Sequence, residues 1–292
     1  MAIRTLISLI VMITLANNCW SQTPLSDQYK IYDTKNKKVV TIADLVASVE
    51  DADVLFFGEE HDDSIAHRLQ DTLYRSLLGK YGNVTLSMEM FERDCQLVLD
   101  EYLQSLITDE RLIKEGRAWN NYKDYRPMVN AAKELQQKVI AANAPRRYVN
   151  MVSRKGLKSL DSLSKTAGTY FAKLPLDTTN ALYREKFGKI MGGRQTSSNV
   201  YYAQTLWDAT MAESIYRYWK KNKHTRVFHL NGRFHTDDRL GTFTQLQRHS
   251  KKIKIRNISC FAAADFNSPD WNQYDSLGDY VIVTNPEVAK SF

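Results

Sequence analysis

The stretch Val54-Leu-Phe-Phe57-Gly58-Glu-Glu-His61 decides how the rest of the chain is read. Four apolar residues, β-branched or aromatic at three of the four places, form a short buried strand. A glycine then lets the backbone turn, and two carboxylates and an imidazole follow at once. Beyond His61 the apolar spacing turns helical from about Ser64 to Leu78. The same strand-then-helix unit recurs: Val84 to Met88 ends in Glu89 and leads into a helix that includes Cys95 to Leu103. Lys138 to Ala142 stops at Asn143-Ala-Pro145, where proline forbids continuation. Arg226 to Leu230 stops at Asn231-Gly-Arg-Phe-His235. This alternation predicts an α/β domain with a largely parallel sheet flanked by helices.

From about 156 to 202 the pattern changes to Lys, Thr, Ser and Tyr without strand signals. That span reads as a helical insertion subdomain capping the sheet edge, with amphipathic pieces at Leu157 to Leu163 and Ala181 to Met191. A long helix follows from about Val200 to Lys221, and further strands are expected near Ile253 to Ile258 and Tyr280 to Val283. There is no internal repeat and no low-complexity tract. At the other end, Arg4, an apolar run from Leu6 to Ala16 and small polar residues up to Ser21 make a secretory signal peptide over residues 1–21, leaving 22–292 as the folded chain. The run is short for a membrane-spanning helix, and no later stretch is long enough. Export to the periplasm, or to association with the outer membrane, is the expected location. A lipid anchor at Cys19 is the weaker alternative, because Asn17 and Asn18 stand where a lipobox wants a small residue.

The 292 residues are 43% hydrophobic with a net charge of +7, an ordinary globular balance on the basic side. The positive residues fall in small scattered groups, such as Lys35 with Lys37 and Lys38, or Lys251 with Lys252. No stripe of interleaved basic and aromatic residues exists, which excludes nucleic acid and favours an anionic small ligand. Cys95 and Cys260 remain in an oxidising compartment, either paired or as two separate buried thiols.

In an open α/β sheet, ligands bind beyond the carboxyl ends of the strands. Glu59, Glu60, His61, Glu89, Asn143, Arg146, Arg233 and His235 all fall there. Two of the strand ends share the form Gly-x-x-His, at Gly58 to His61 and Gly232 to His235. Glu89 closes an apolar strand, where a carboxylate must find a partner. His61, Glu60, Glu89 and His235 therefore make a candidate set for zinc or another divalent metal. His67, on the following helix, and His229, inside a strand, read as structural. The segment Trp119-Asn-Asn-Tyr122-Lys-Asp-Tyr125-Arg-Pro127 is dense in aromatics and leads into a helix with Pro127 near its first turn. Its tyrosines either pack in the core or offer a phenol to a metal or macrocycle.

Taken together, Gly58-Glu-Glu-His61-Asp, Met88-Glu-Met-Phe-Glu-Arg-Asp94 with Gln96, Tyr125-Arg-Pro127, Val139-Ile-Ala-Ala-Asn143-Ala-Pro-Arg146, Arg154-Lys-Gly-Leu157, Asp208-Ala-Thr-Met-Ala212 and Gly232-Arg-Phe-His235 resemble ChaN, a haem-binding uptake family. It is grouped with the Tiki metalloproteases and the erythromycin esterases. The resemblance implies haem as ligand, bacterial iron acquisition, a homodimer holding haem between protomers and an outer-membrane haem receptor as partner. It also implies a tyrosine ligand with histidine support, which falls on Tyr125 with His61 and His235. Two departures stand out: the poor lipobox, and Arg233-Phe234 filling the second Gly-x-x-His.

Three functions compete. A haem carrier needs an aromatic slot, a Tyr or His ligand and basic residues such as Arg146, Arg147 or Arg154. A hydrolase of the esterase or metalloprotease type would use His61, Glu89 and His235 on an activated water, since the chain has neither a nucleophile elbow nor a His-Glu-x-x-His helix. A structural envelope protein would do neither.

Overall fold

The computed structural model describes residues 24–193 and 197–292. The expected signal peptide over residues 1–21, and Cys19 as an expected lipid anchor, lie outside them. The sheet has eight strands: β1 (Tyr29–Asp33), β2 (Lys38–Val40), β3 (Val54–Glu59), β4 (Val84–Glu92), β5 (Val139–Asn143), β6 (Arg226–Gly232), β7 (Ile255–Ala262) and β8 (Tyr280–Thr284), in the order β2-β1-β8-β7-β3-β6-β4-β5. The six strands from β8 to β5 run parallel, and the β1–β2 hairpin joins them antiparallel along β8. The fold is thus α/β with a mostly parallel sheet. The early hairpin and helix α1 (Ile42–Ser48) had no reading in the sequence.

Helices cover both faces. On one lie α1, α2 (Ser64–Tyr81), α3 (Gln96–Leu103), α4 (Asp109–Glu115) and α5 (Tyr122–Glu134), packed on Leu55 and Phe57 of β3 and on Leu86, Met88, Phe228 and Leu230. On the other, α8 (Ser198–Lys221) and α9 (Thr242–His249) pack on Val54, Phe56 and Val227. Alternate residues of β3 serve opposite cores, as a pleated strand buried on both faces requires. Helix α6 (Arg146–Lys155) joins α8.

Among the described residues of the region read as an insertion, α7 (Ala181–Ile190) is the one α-helix before α8 begins, preceded by two 3-10 turns (Leu157–Ser162 and Ala167–Thr169) and irregular chain. Tyr183 and Phe187 of α7 pack against Phe234 and Leu240, just beyond the carboxyl end of β6. Pro127 lies inside α5, in its second turn and not at its start. Cys95 and Cys260 are both buried free thiols, so the pairing left open by the sequence is absent. No helix among the described residues is long and apolar enough to cross a membrane.

The chain order positions the site. It runs from β3 out to β4 and β5 and then returns to insert β6 between β3 and β4. The two Gly-x-x-His strand ends thereby become neighbours, with Glu89 of β4 beside them.

Candidate functional site

The glycines of the two motifs permit close approach more than they permit a turn. Gly232 has φ −59, which any residue adopts. A Cβ on Gly58 would lie 2.8 Å from Arg233 Cα, and one on Gly232 would lie 2.7 Å from His61 Nε2. Each motif glycine makes room for the other motif, which brings both imidazoles over the same edge.

His61 Nδ1 is held 2.9 Å from Glu59 Oε1. Glu59, fully buried, also accepts from the Tyr125 hydroxyl and from Gln70 Nε2. Across the edge, Glu89 Oε2 accepts from the Gly232 backbone N–H at 2.7 Å, and its Oε1 lies 3.4 Å from His235 Nε2. His235 Nδ1 is 2.7 Å from Asp208 Oδ1 of α8, an acid further fixed by the hydroxyls of Tyr183 (2.6 Å) and Thr242 (2.9 Å). Acids and imidazoles therefore line up as Glu59, His61, Glu89, His235, Asp208. For Glu59, His61, Glu89 and His235, burial alone would favour the uncharged form, but the neighbours outweigh it. His235 is pushed up to about 10, burial being opposed by the Glu89 and Asp208 carboxylates. Glu89 is pulled down to about 2, burial being opposed by His235, His61 and the Gly232 N–H. His61 is raised, against burial, by its bond to Glu59 and the charge of Glu89.

The structure thus brings His61, Glu89 and His235 together, and it separates others expected with them. Glu60 turns away to Arg233, 3.7 Å distant, while Glu59 faces inward. Among the described residues no group of three His, Cys, Asp or Glu side chains is arranged to hold a metal ion, which corrects the zinc set of His61, Glu60, Glu89 and His235. The physical reason is that Glu60 points away to Arg233, and the remaining carboxylate, Glu89, is spent on the Gly232 N–H and His235. Tyr125 needs a correction too. It is 0% exposed, donates its hydroxyl to Glu59, and its phenol is raised by burial and by the Glu59 charge. It braces the partner of His61 from inside the core and reaches no external ligand.

Outside the cluster, a small cavity of about 150 Å³ is lined by Glu89, His235, Trp119, Trp207 and Arg146. It shares Glu92, Trp119 and Arg146 with a wider groove of about 560 Å³ that Arg117 and Arg147 also line. The groove wall begins at Glu92, the last residue of β4, and is held by the Arg93-Asp94 turn that follows it. Glu92 pairs with Arg117, at 2.6 Å, and accepts the Arg146 backbone N–H; Asp94 pairs with Arg147, at 2.6 Å, and with Arg117. Arg93, partly buried, ties the wall to α8 through Ser214 and the Thr210 carbonyl. Only the Arg146 guanidinium, of these groove arginines, has no carboxylate partner among the described residues. Trp119 stands edge-on to His61, with ring centroids 5.0 Å apart.

The sequence reading missed Asp208, Trp207 and Arg117 as site residues. Asp208 left a signal, an acid on the apolar side of a long helix. Arg117 left none, because its role depends on a loop conformation with φ 52.

Fold and site define a three-layer α/β protein with a charged His/Glu cluster at the carboxyl edge of its sheet and a basic, tryptophan-walled groove outside it. Residues 45–246 match the model of the family described as haem-binding uptake, Tiki superfamily, ChaN, and the chain belongs to that family. A solved structure, "Cofacial heme binding to ChaN of Campylobacter jejuni", is similar with a TM-score of 0.66 at 20% identity, over 88% of this chain and 97% of that one. The erythromycin esterase EreC, in its open conformation, gives 0.49 at 12% identity over 88% of this chain and 83% of its own. None of the curated proteins matches the chain.

Proposed function

We propose that this protein binds haem in the groove beside Trp119 and Trp207 and serves bacterial haem uptake in the cell envelope. The observation that carries the reading is the Arg146 guanidinium, without a carboxylate partner among the described residues, lining both the groove of Trp119 and the adjoining small cavity of Trp119 and Trp207. Haem is a planar apolar ring with two carboxylates; indole faces suit the ring and a free guanidinium suits a propionate. The exposed side of the His61 ring is a second donor for a propionate, its side chain being 37% exposed. A groove this open leaves part of a haem uncovered, which favours a homodimer that closes over it. The leader predicted for residues 1–21 supports export, with an outer-membrane haem receptor as a further partner.

With Tyr125 sealed, the iron ligand falls to Tyr148, which follows the two groove arginines on α6. Its hydroxyl lies 3.3 Å from Arg147 Nη2. The two tyrosines are separable by haem titration at the Soret band: Tyr148→Phe is expected to weaken and shift the band, and Tyr125→Phe to leave its position unchanged. The reverse pattern would contradict this assignment. The hydrolase reading is disfavoured by the charges, since a general base works best with a pKa near the working pH, whereas Glu89 sits at about 2 and His235 at about 10.

A further inference from the structure

His67, in the first turns of α2, reads as structural in the sequence, yet its surroundings give it a task. It is 4% exposed, its Nδ1 lies 3.3 Å from Glu59 Oε2, and its Nε2 donates to the His61 carbonyl oxygen at 3.1 Å. From α5, Asp124 brings a second carboxylate, with Oδ2 4.0 Å from the same Nε2. That oxygen is buried without a hydrogen-bond partner. Among the described residues Glu59 forms ion pairs with His61 and His67 and with no lysine or arginine. The fully buried Glu59 and a largely buried Asp124, with its Oδ2 sealed, thus converge on one imidazole, and uncompensated buried charge is strongly disfavoured.

We propose that His67 is a positioning residue, a buried imidazolium that supplies the counter-charge of Glu59 and Asp124 and pins the His61 backbone. Glu59 then does not depend on His61 for its compensation, and His61 is free to gain or lose its proton as a ligand carboxylate arrives. This rests on the groove being the ligand site. The other groups facing His67 are uncharged, namely Gln70 at 3.3 Å and the Tyr125 ring edge-on at 4.9 Å. His61 is faced by Glu59, Glu89 and His235, with Trp119 beside it. In agreement, His67 is pushed up to about 9: burial pulls it down, and the contact with Glu59 and the charges of Glu59 and Asp124 outweigh that.

The test is histidine NMR titration of the haem-free protein. Asp124→Asn is expected to lower the His67 midpoint. His67→Gln is expected to raise the His61 midpoint by about half a unit or more, because Glu59 then draws on His61 alone. A merely structural His67 would lower stability without moving His61. An unmoved or lowered His61 midpoint in folded His67→Gln overturns the proposal. If that variant does not fold, an unmoved His67 midpoint in Asp124→Asn overturns it. Failure of the wild-type protein to bind haem would be seen separately, in a Soret titration, and would overturn the groove reading while leaving the His67 result to stand.

Discussion

At Gly232 an added methyl group would lie 2.7 Å from His61 Nε2, with no space to relieve it except by moving the imidazole off the sheet edge. Gly232→Ala is expected to cost about 1–3 kcal/mol, as overpacking does, and to weaken haem binding together with stability; a variant with unchanged melting temperature and affinity would contradict the packing described. The charged cluster also fixes the pH range of stability. His67 and His235 sit at about 9 and about 10 in the fold against 6.5 when unperturbed. Their contribution is complete below pH 6.5 and disappears as pH rises through those values. Glu89, at about 2 against 4.5, contributes fully above pH 4.5 and loses its contribution as pH falls toward 2. Denaturant melts across pH should show stability declining on both sides, and Glu89→Gln should flatten the acid limb. At this scale the sequence was informative about His61, Glu89 and His235, because charged residues at strand ends have few structural excuses. It misled at Tyr125, since a tyrosine one helical turn from another looks the same whether its hydroxyl meets solvent or a buried carboxylate.

The central strands and their helices were legible because each strand is a short apolar run buried on both faces and each helix keeps a periodic apolar stripe. The β1–β2 hairpin was not, because β2 is only three residues long and carries a lysine. The edge strand β5 hides a further device in Gln96. Its side-chain amide donates to the Val139 carbonyl at 2.9 Å and accepts from the Ala141 N–H at 2.8 Å, occupying the free edge like a short strand. Gln96→Leu should cost about 1–3 kcal/mol through the two partners left unpaired and increase aggregation, measured by denaturant melts and light scattering. A stable, monodisperse variant would show that the edge needs no such protection.

The whole molecule joins a charge-neutralised interior to a basic exterior groove. Glu59 holds His61, and Glu89 and Asp208 hold His235, at the sheet edge, while Arg117 and Arg147 are committed to Glu92 and Asp94. Of the three groove arginines, Arg146 alone has no carboxylate partner among the described residues. The chain order that inserts β6 between β3 and β4 explains why residues so distant in sequence share one site, a fact that strand patterns alone do not contain. The most direct measurement is haem titration of residues 22–292 at the Soret band, for the wild type and Arg146→Ala. Saturation near one haem per chain, with affinity lowered about tenfold or more in the variant, is the predicted result, as expected for loss of a charge-assisted bond. No saturable binding at micromolar haem, or equal affinity in the two proteins, would contradict the account.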